Sequence, residues 1–470
     1  MHLLTALLTS NDFIYGPLFF MALFMVYSVV ASKYKDDATK RLFMKAFYFK
    51  MLISLISSLI IIFYYRGGDS AMYYDSAVDL KNAVTDDSGN FWTIMGTKSL
   101  NSDSPIASYF LNDNSIFPTW ESAHSPSNFM VPRLGLPFGL LTDMSYLCMS
   151  MAFSFFAFGG SIRLYKFFIH YFPDYQKEVA LATLFLPSMV FWSSSFLKDP
   201  ICFGSVGYLI YGLFSIFIRR KKILTSLIWI TISVLLLFYV KVYILLALLP
   251  AVMLWLFSEV NKAVENKTLR RILAIMTFSV GAGIAYLLIN YVGSDDSVKM
   301  YRLDTFLETS QYNRDLYKGF STREQGAYFT YETSNPVLLV LYGMVATLFR
   351  PFPWEISSPI GFLSVVESMM FLYFTVMLFY KKGLVGFFKG AFSHPVFIMC
   401  LIFSLIFAAA VGSSATNFGS ISRYKIPCLP FYLLMILIMY KQAGLKYPAW
   451  FAKAIGYRPE QKPRYRKPIH

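Results

Sequence analysis

Apolar residues in this chain fall in runs of 16 to 24 separated by polar stretches, most of them short. At 1.5 Å per residue, a run of that length is what a helix needs to cross a bilayer. The spans predicted in this way are 13–31, 47–65, 144–167, 179–196, 201–218, 223–240, 242–258, 271–292, 360–380, 395–412 and 426–441. One further apolar run, 336–349, is too short. It ends in Arg350-Pro-Phe-Pro-Trp-Glu355, where Pro351 and Pro353 remove amide donors and clash with the preceding turn. It is expected to be a re-entrant or interfacial segment. The fold class is therefore all-α and polytopic, with about eleven transmembrane helices plus one re-entrant or interfacial segment.

Composition agrees with this class. Hydrophobic residues make up 56% of the chain and charged residues 15%, against about 25% charged in a soluble domain. The net charge of +15 raises the question of nucleic acid, but the bases sit in short loops between spans, where they set orientation. With the N-terminus outside, the inner loops and the tail hold 27 Lys/Arg and 7 Asp/Glu, counting Arg271 at the edge of its span, and the outer side holds 14 and 20. This predicts a cytoplasmic C-terminus, and the expected location is a bacterial inner (cytoplasmic) membrane. Residues 1–440 form the transmembrane domain with outer loops 66–143 and 293–358, and 441–470 form a basic cytoplasmic tail. The first apolar run lacks a basic flank before it and is expected to stay as a span. Short surface helices are expected in 66–143. The four cysteines, Cys148, Cys202, Cys400 and Cys428, lie in or beside apolar runs without zinc-ligand spacing. The chain carries no Gly-rich nucleotide loop and no His/Cys cluster.

The candidate chemistry gathers at outer ends of spans. In Tyr64-Tyr-Arg-Gly-Gly-Asp69-Ser-Ala-Met-Tyr-Tyr-Asp75-Ser-Ala-Val-Asp79, Gly67 and Gly68 allow a sharp turn and Asp69 or Ser70 is placed to cap a new helix. Asp75 and Asp79, four apart, share a face of that helix. A carboxylate fixed there suits a general base or a divalent cation, and the plain alternative is a cap with two solvated acids. Phe191-Trp-Ser-Ser-Ser-Phe-Leu-Lys198-Asp199 offers hydroxyls and a cation for a phosphate, or simply a Lys–Asp pair closing a turn. Lys241 is the single charge in the 36 residues 223–258, which suits two spans joined by an outer hairpin. Arg350 is a phosphate candidate, with a plain Arg350–Glu355 pair as the alternative. Arg423 and Lys425 break the acidic tendency of the outer side. Glu367, about two turns into its span, is expected to meet a cation, with Arg350 as one candidate partner, or to line a cavity. His124 is expected to be solvated.

The Gly68-Asp69 pair with Tyr73 and Tyr74, directly after a span, resembles the first external loop of the GT-C superfamily of membrane glycosyltransferases. The specific likeness covers about 60–140. It implies a GT-C-like fold and a polyprenyl-phosphate-linked sugar as donor, with Asp69 as the catalytic acidic residue. Many members carry two closely spaced acids, whereas here the next acid, Asp75, is six residues on. A divalent cation is thus an open cofactor question. The expected function is inverting transfer of a sugar from the lipid-phosphate donor to an extracytoplasmic glycan or lipid-linked acceptor in surface polysaccharide assembly. Asp69 would serve as base, and Lys198, Lys241, Arg350 and Arg423 would hold the donor phosphate. Asp75, Asp79, Glu355, Glu367 and Lys425 would support them. The partners are these lipid-linked substrates and membrane lipids, without nucleic acid. Two other classes stay open: an O-antigen-type polysaccharide polymerase, and a transporter or flippase of an anionic lipid-linked substrate.

Overall fold

The computed structural model describes residues 7–111, 119–262, 335–356, 359–415 and 417–457, with isolated residues between 268 and 333. The described residues are helical, with no strand among them. Helices α1 (Ser10–Ala31) and α2 (Asp37–Phe63) lead into a group of α3 (Gly68–Asp86), α4 (Asn90–Gly96), α5 (Thr119–His124) and α6 (Pro126–Leu141). Then come α7 (Tyr146–Tyr171), the short α8 (Gln176–Ala180) and α9 (Pro187–Trp192), α10 (Lys198–Phe217) and α11 (Ile223–Lys262). The last part holds α12 (Pro336–Phe349), α13 (Pro359–Ala391), α14 (Pro395–Ser414), α15 (Phe418–Tyr424), α16 (Leu429–Gln442) and α17 (Ala449–Ala454).

Seven described helices are long and apolar enough to cross a bilayer, and eight if α15 and α16, bent by 73°, make one span. The chain is thus an all-helical integral membrane protein. Three differences from the eleven expected crossings account for the smaller count. The expected span 179–196 is broken into α8, a π-helical turn at Leu181–Phe185 and α9. The expected span 271–292 lies outside the described residues except for isolated positions. The expected spans 223–240 and 242–258 form one helical element, α11, interrupted only at Lys241 (φ −151°, ψ 76°).

Side-chain contacts show how α11 runs. Trp229 stacks on Tyr208 of α10 at 4.1 Å, and Lys241 reaches Asp199, at the opposite end of α10 from Phe214. Trp255 then meets Phe167 at 5.1 Å, and Phe167 in turn meets Phe214. The first leg of α11 therefore runs against α10 and the second leg runs back beside it. A straight helix of 40 residues would extend about 60 Å, twice the hydrocarbon thickness.

α12 ends at the Arg350 break. Thr347 Oγ1 donates to the Ala408 carbonyl at 2.9 Å, and Gly343 lies against Gly412, so α12 runs antiparallel to α14. The Arg350 carbonyl accepts from Ser368 Oγ at 2.9 Å, nine residues into α13. The chain thus descends through α12 and climbs back before Pro359. Glycines set the close approaches here. A Cβ at Gly207 or Gly412 would collide with the carbonyl of Gly160 or Gly343, so α7–α10 and α12–α14 touch backbone to backbone, as small residues permit between membrane helices.

The group α3–α6 is more than a set of surface helices. Leu80, Ala83, Ile94, Leu100, Ile106, Phe110, Ala123, Phe129 and Leu136 form a core of their own beside the main one. At the other end of the bundle, the C-terminal segment packs back as far as Tyr457, where Glu178 Oε1 accepts from the hydroxyls of Tyr447 (3.1 Å) and Tyr457 (2.8 Å). The basic stretch 458–470 lies outside the described residues.

The break after α9 strands buried carbonyls, and α2 satisfies them. Lys50, 3% exposed, donates to the carbonyls of Val190 (3.2 Å) and Ser193 (2.7 Å) and to Ser193 Oγ (2.6 Å). Ser54 Oγ donates to the Ser194 carbonyl at 2.7 Å. Irregular backbone survives at membrane depth only when protein groups replace water in this way. Each carbonyl left without a donor costs about 1–3 kcal/mol. Lys50→Met is therefore expected to lower the melting temperature of the detergent-solubilised protein. An unchanged melting temperature would mean that Lys50 does not hold the break.

Candidate functional site

Gly67 (φ 89°) and Gly68 (φ 51°) take the left-handed backbone that turns the chain from α2 into α3. Asp69 therefore enters the first turn of α3, half-exposed, and not the capping position. Gly67 caps the helix, with no side-chain capping bond. Ser70 Oγ instead donates to the Phe196 carbonyl at 2.7 Å and meets Tyr146 Oη at 2.8 Å, which fastens α3 to the turn before α10.

Asp199 is the centre of the site. Its side chain, 3% exposed, sits in the first turn of α10, where the helix dipole favours a carboxylate. Lys241 Nζ donates to its Oδ1 at 2.7 Å. Arg423 Nε and Nη2 donate to its Oδ2 at 3.3 and 3.2 Å. Arg423 Nη1 donates to Asp69 Oδ2 at 3.0 Å. Asp69, Asp199, Lys241 and Arg423 thus form one continuous chain of charge, although Asp69 and Arg423 stand 354 residues apart in sequence. Lys241 also lies 4.5 Å from the Tyr424 ring centroid and Arg423 5.5 Å from that of Trp192, contacts that suit cations against ring faces.

Lys198 does not form the expected turn pair with Asp199. Its Nζ donates to Ser127 Oγ at 2.8 Å, while Asp199 is taken by Lys241 and Arg423. Among the described residues no carboxylate lies within 4.0 Å of Lys198, although it feels the charges of Lys241, Asp69 and Asp199. Among the described residues, three cations and two carboxylates leave the cluster one positive charge in excess.

Arg350 belongs to a neighbouring cluster. Its guanidinium grips Glu355, with Nε donating to Oε1 at 2.9 Å and to Oε2 at 3.1 Å and Nη2 completing the fork. It also lies over the rings of Phe329 (4.5 Å) and Phe418 (5.1 Å). Lys425 Nζ donates to the Arg350 carbonyl (3.1 Å) and to Ser368 Oγ (2.9 Å). Glu367 does not partner Arg350. Its Oε1 accepts from the Ser188 amide at 2.6 Å, and the cation acting on it is Lys425. Both clusters are tied to α15, which contributes Phe418 to one and Arg423 to the other.

Asp75 and Asp79 lie along α3, away from the Arg423 ion pairs. Asp75 Oδ2 is buried without a hydrogen-bond partner among the described residues. Burial, and then the charge of Asp79, push the Asp75 carboxyl up to about 6. A raised acid binds its proton more tightly when folded, so folding loses stability as pH rises from about 4 through 6. Asp75→Asn is expected to raise the melting temperature relative to the parent above pH 6, with the gain vanishing near pH 4. A pH-independent difference would refute the assignment. His124 is exposed, with Nδ1 2.8 Å from the Trp120 carbonyl. No three His, Cys, Asp or Glu residues come together as a metal-ligand set among the described residues.

Sequence reading undervalued Asp199 and gave no role to Ser127 or Lys50. An acid in the first turn of an apolar span was the available signal for Asp199, and a lone lysine inside a span was the signal for Lys50. Ser127 had none. No family model, no curated protein and no solved structure matches this chain.

Proposed function

We propose that this protein is a membrane glycosyltransferase that moves a sugar from a polyprenyl-phosphate donor to a hydroxyl acceptor on the extracytoplasmic side, in surface glycan assembly. The observation that carries this reading is the Asp69–Arg423–Asp199–Lys241 chain, with a half-exposed carboxylate at one end and, beside it, Lys198 without a carboxylate partner among the described residues.

In the proposed step the acceptor oxygen attacks the anomeric carbon as the bond from that carbon to the phosphate oxygen breaks, inverting the centre. Asp69 takes the acceptor proton. The lipid phosphate leaves with the bonding electrons, and Lys198 and Arg423 stabilise the charge it gains. The excess positive charge of the cluster suits such an anion, and buried Asp199 holds Arg423 and Lys241 in position before substrate arrives. Arg350, closed by Glu355, acts as a support of α15 in this scheme.

The test is incubation of the purified full-length protein with a panel of labelled polyprenyl-phosphate sugars and hydroxyl acceptors. Label moving from lipid phosphate to acceptor, one sugar per event, is the expected result. Growth of long chains from a lipid pyrophosphate would replace this reading with a polymerase. Passage of intact lipid-linked substrate across a vesicle membrane without product would replace it with a transporter.

A further inference from the structure

At the end of the bundle opposite Asp199, four cations gather on one helix and one link. Arg163 and Lys166 project from α7, and Arg219 and Lys222 belong to the short link between α10 and α11. The charges acting on Lys166 are Arg163, Lys222 and Arg219, all of its own sign. Among the described residues none of the four has a carboxylate within 4.0 Å. Glu259, at the same end, acts on His170 and Tyr171, not on Lys166.

Orientation by flanking bases is the ordinary reason for cations at a span end, and Arg219 and Lys222, both exposed, need no other. Arg163 does. It stands eight residues before the end of α7, about 12 Å into the helix. Its guanidinium carbon lies 3.9 Å from the Tyr208 ring centroid and 5.5 Å from that of Trp229. Of its five N–H groups, only Nη1 has an acceptor among the described residues, the Gly159 carbonyl at 3.0 Å. Lys166 Nζ lies 4.7 Å from the Tyr34 ring. Arg219 Nη1 donates to Tyr211 Oη at 3.1 Å. The result is a nest of donors walled by tyrosines and a tryptophan, with like charges held together and no carboxylate within 4.0 Å of them among the described residues.

We infer that this nest binds the phosphate headgroup of an anionic phospholipid in the leaflet at that end, which the charge distribution assigns to the cytoplasm. Basic pockets between membrane helices take such headgroups, and Tyr34 and Trp229 are interfacial residue types suited to a lipid. The site is independent of the Asp69 cluster and of the reaction proposed there.

Full-length protein in neutral detergent should be titrated with phosphatidylglycerol, phosphatidylcholine or inorganic phosphate while its melting temperature is followed. Phosphatidylglycerol should stabilise saturably and the zwitterionic lipid should not. Each lost cation weakens headgroup binding about fivefold, so Arg163→Gln with Lys166→Gln should cost about 30-fold in apparent affinity. Arg219→Gln with Lys222→Gln, at exposed positions, should show a similar loss without risk to the fold. Unchanged affinity in both double variants overturns the proposal. So does stabilisation by inorganic phosphate alone, without a further gain from the lipid.

Discussion

Replacing Asp69 with asparagine should lower sugar transfer by about 10²- to 10⁴-fold, the range that a positioned general base contributes, while leaving the protein folded. The two halves of this expectation rest on different observations. Asp69 is half-exposed, and its one ion pair among the described residues is with Arg423. An exposed pair contributes about 0–1 kcal/mol, and an asparagine Oδ1 can still accept from Arg423 Nη1. The melting temperature should therefore barely move. What asparagine cannot do is take a proton from the acceptor hydroxyl. Full transfer activity in the variant would remove Asp69 from the chemistry and sink the base assignment.

Asp199→Ala should have the largest effect on stability. Asp199 is buried and pairs with two cations at once. Removing one partner from a buried ion pair costs about 3–5 kcal/mol, because the remaining charges stay desolvated and unpaired. Here Lys241 and Arg423 would also repel each other. A large fall in melting temperature, with loss of any activity, is the expected outcome. Adding Lys241→Met to Asp199→Ala should recover part of the loss, since one stranded cation is gone, and that non-additivity is the signature of direct coupling. A single variant as stable as the parent would show that water, not Asp199, compensates the two cations.

The sequence was informative about helices and less so about their interruptions. Length and hydropathy suffice for α2, α7, α10 and α14, because a run of apolar residues has one stable solution in lipid. They do not report that the run 179–196 is broken at Leu181–Phe185, nor that its end after α9 depends on Lys50 and Ser54 reaching across from α2 to stranded carbonyls. Pro187 and the serines Ser193 to Ser195 were the local hints. The kink at Lys241 was legible because a lone charge in a run of double length has few other places to go. In the site, charge at span ends marked Asp69, Lys198, Lys241 and Arg423. Their pairing was not legible. Asp199 turns away from its neighbour Lys198 toward Lys241 and Arg423, 42 and 224 residues on. Arg350 pairs locally with Glu355, leaving Glu367 to Ser188 and Lys425. Which charge finds which is a property of the packed bundle and cannot be read from spacing.

The Asp199 hub also has a bearing on biogenesis. Translation delivers the carboxylate first, its first cation 42 residues later and its second 224 residues later. Until Lys241 emerges, α10 must enter the bilayer with an uncompensated acid at its leading edge, and until Arg423 arrives Asp199 lacks its second partner. Chains cut short within the first leg of α11 would thus expose an unmatched charge to quality control, whereas complete chains would bury it.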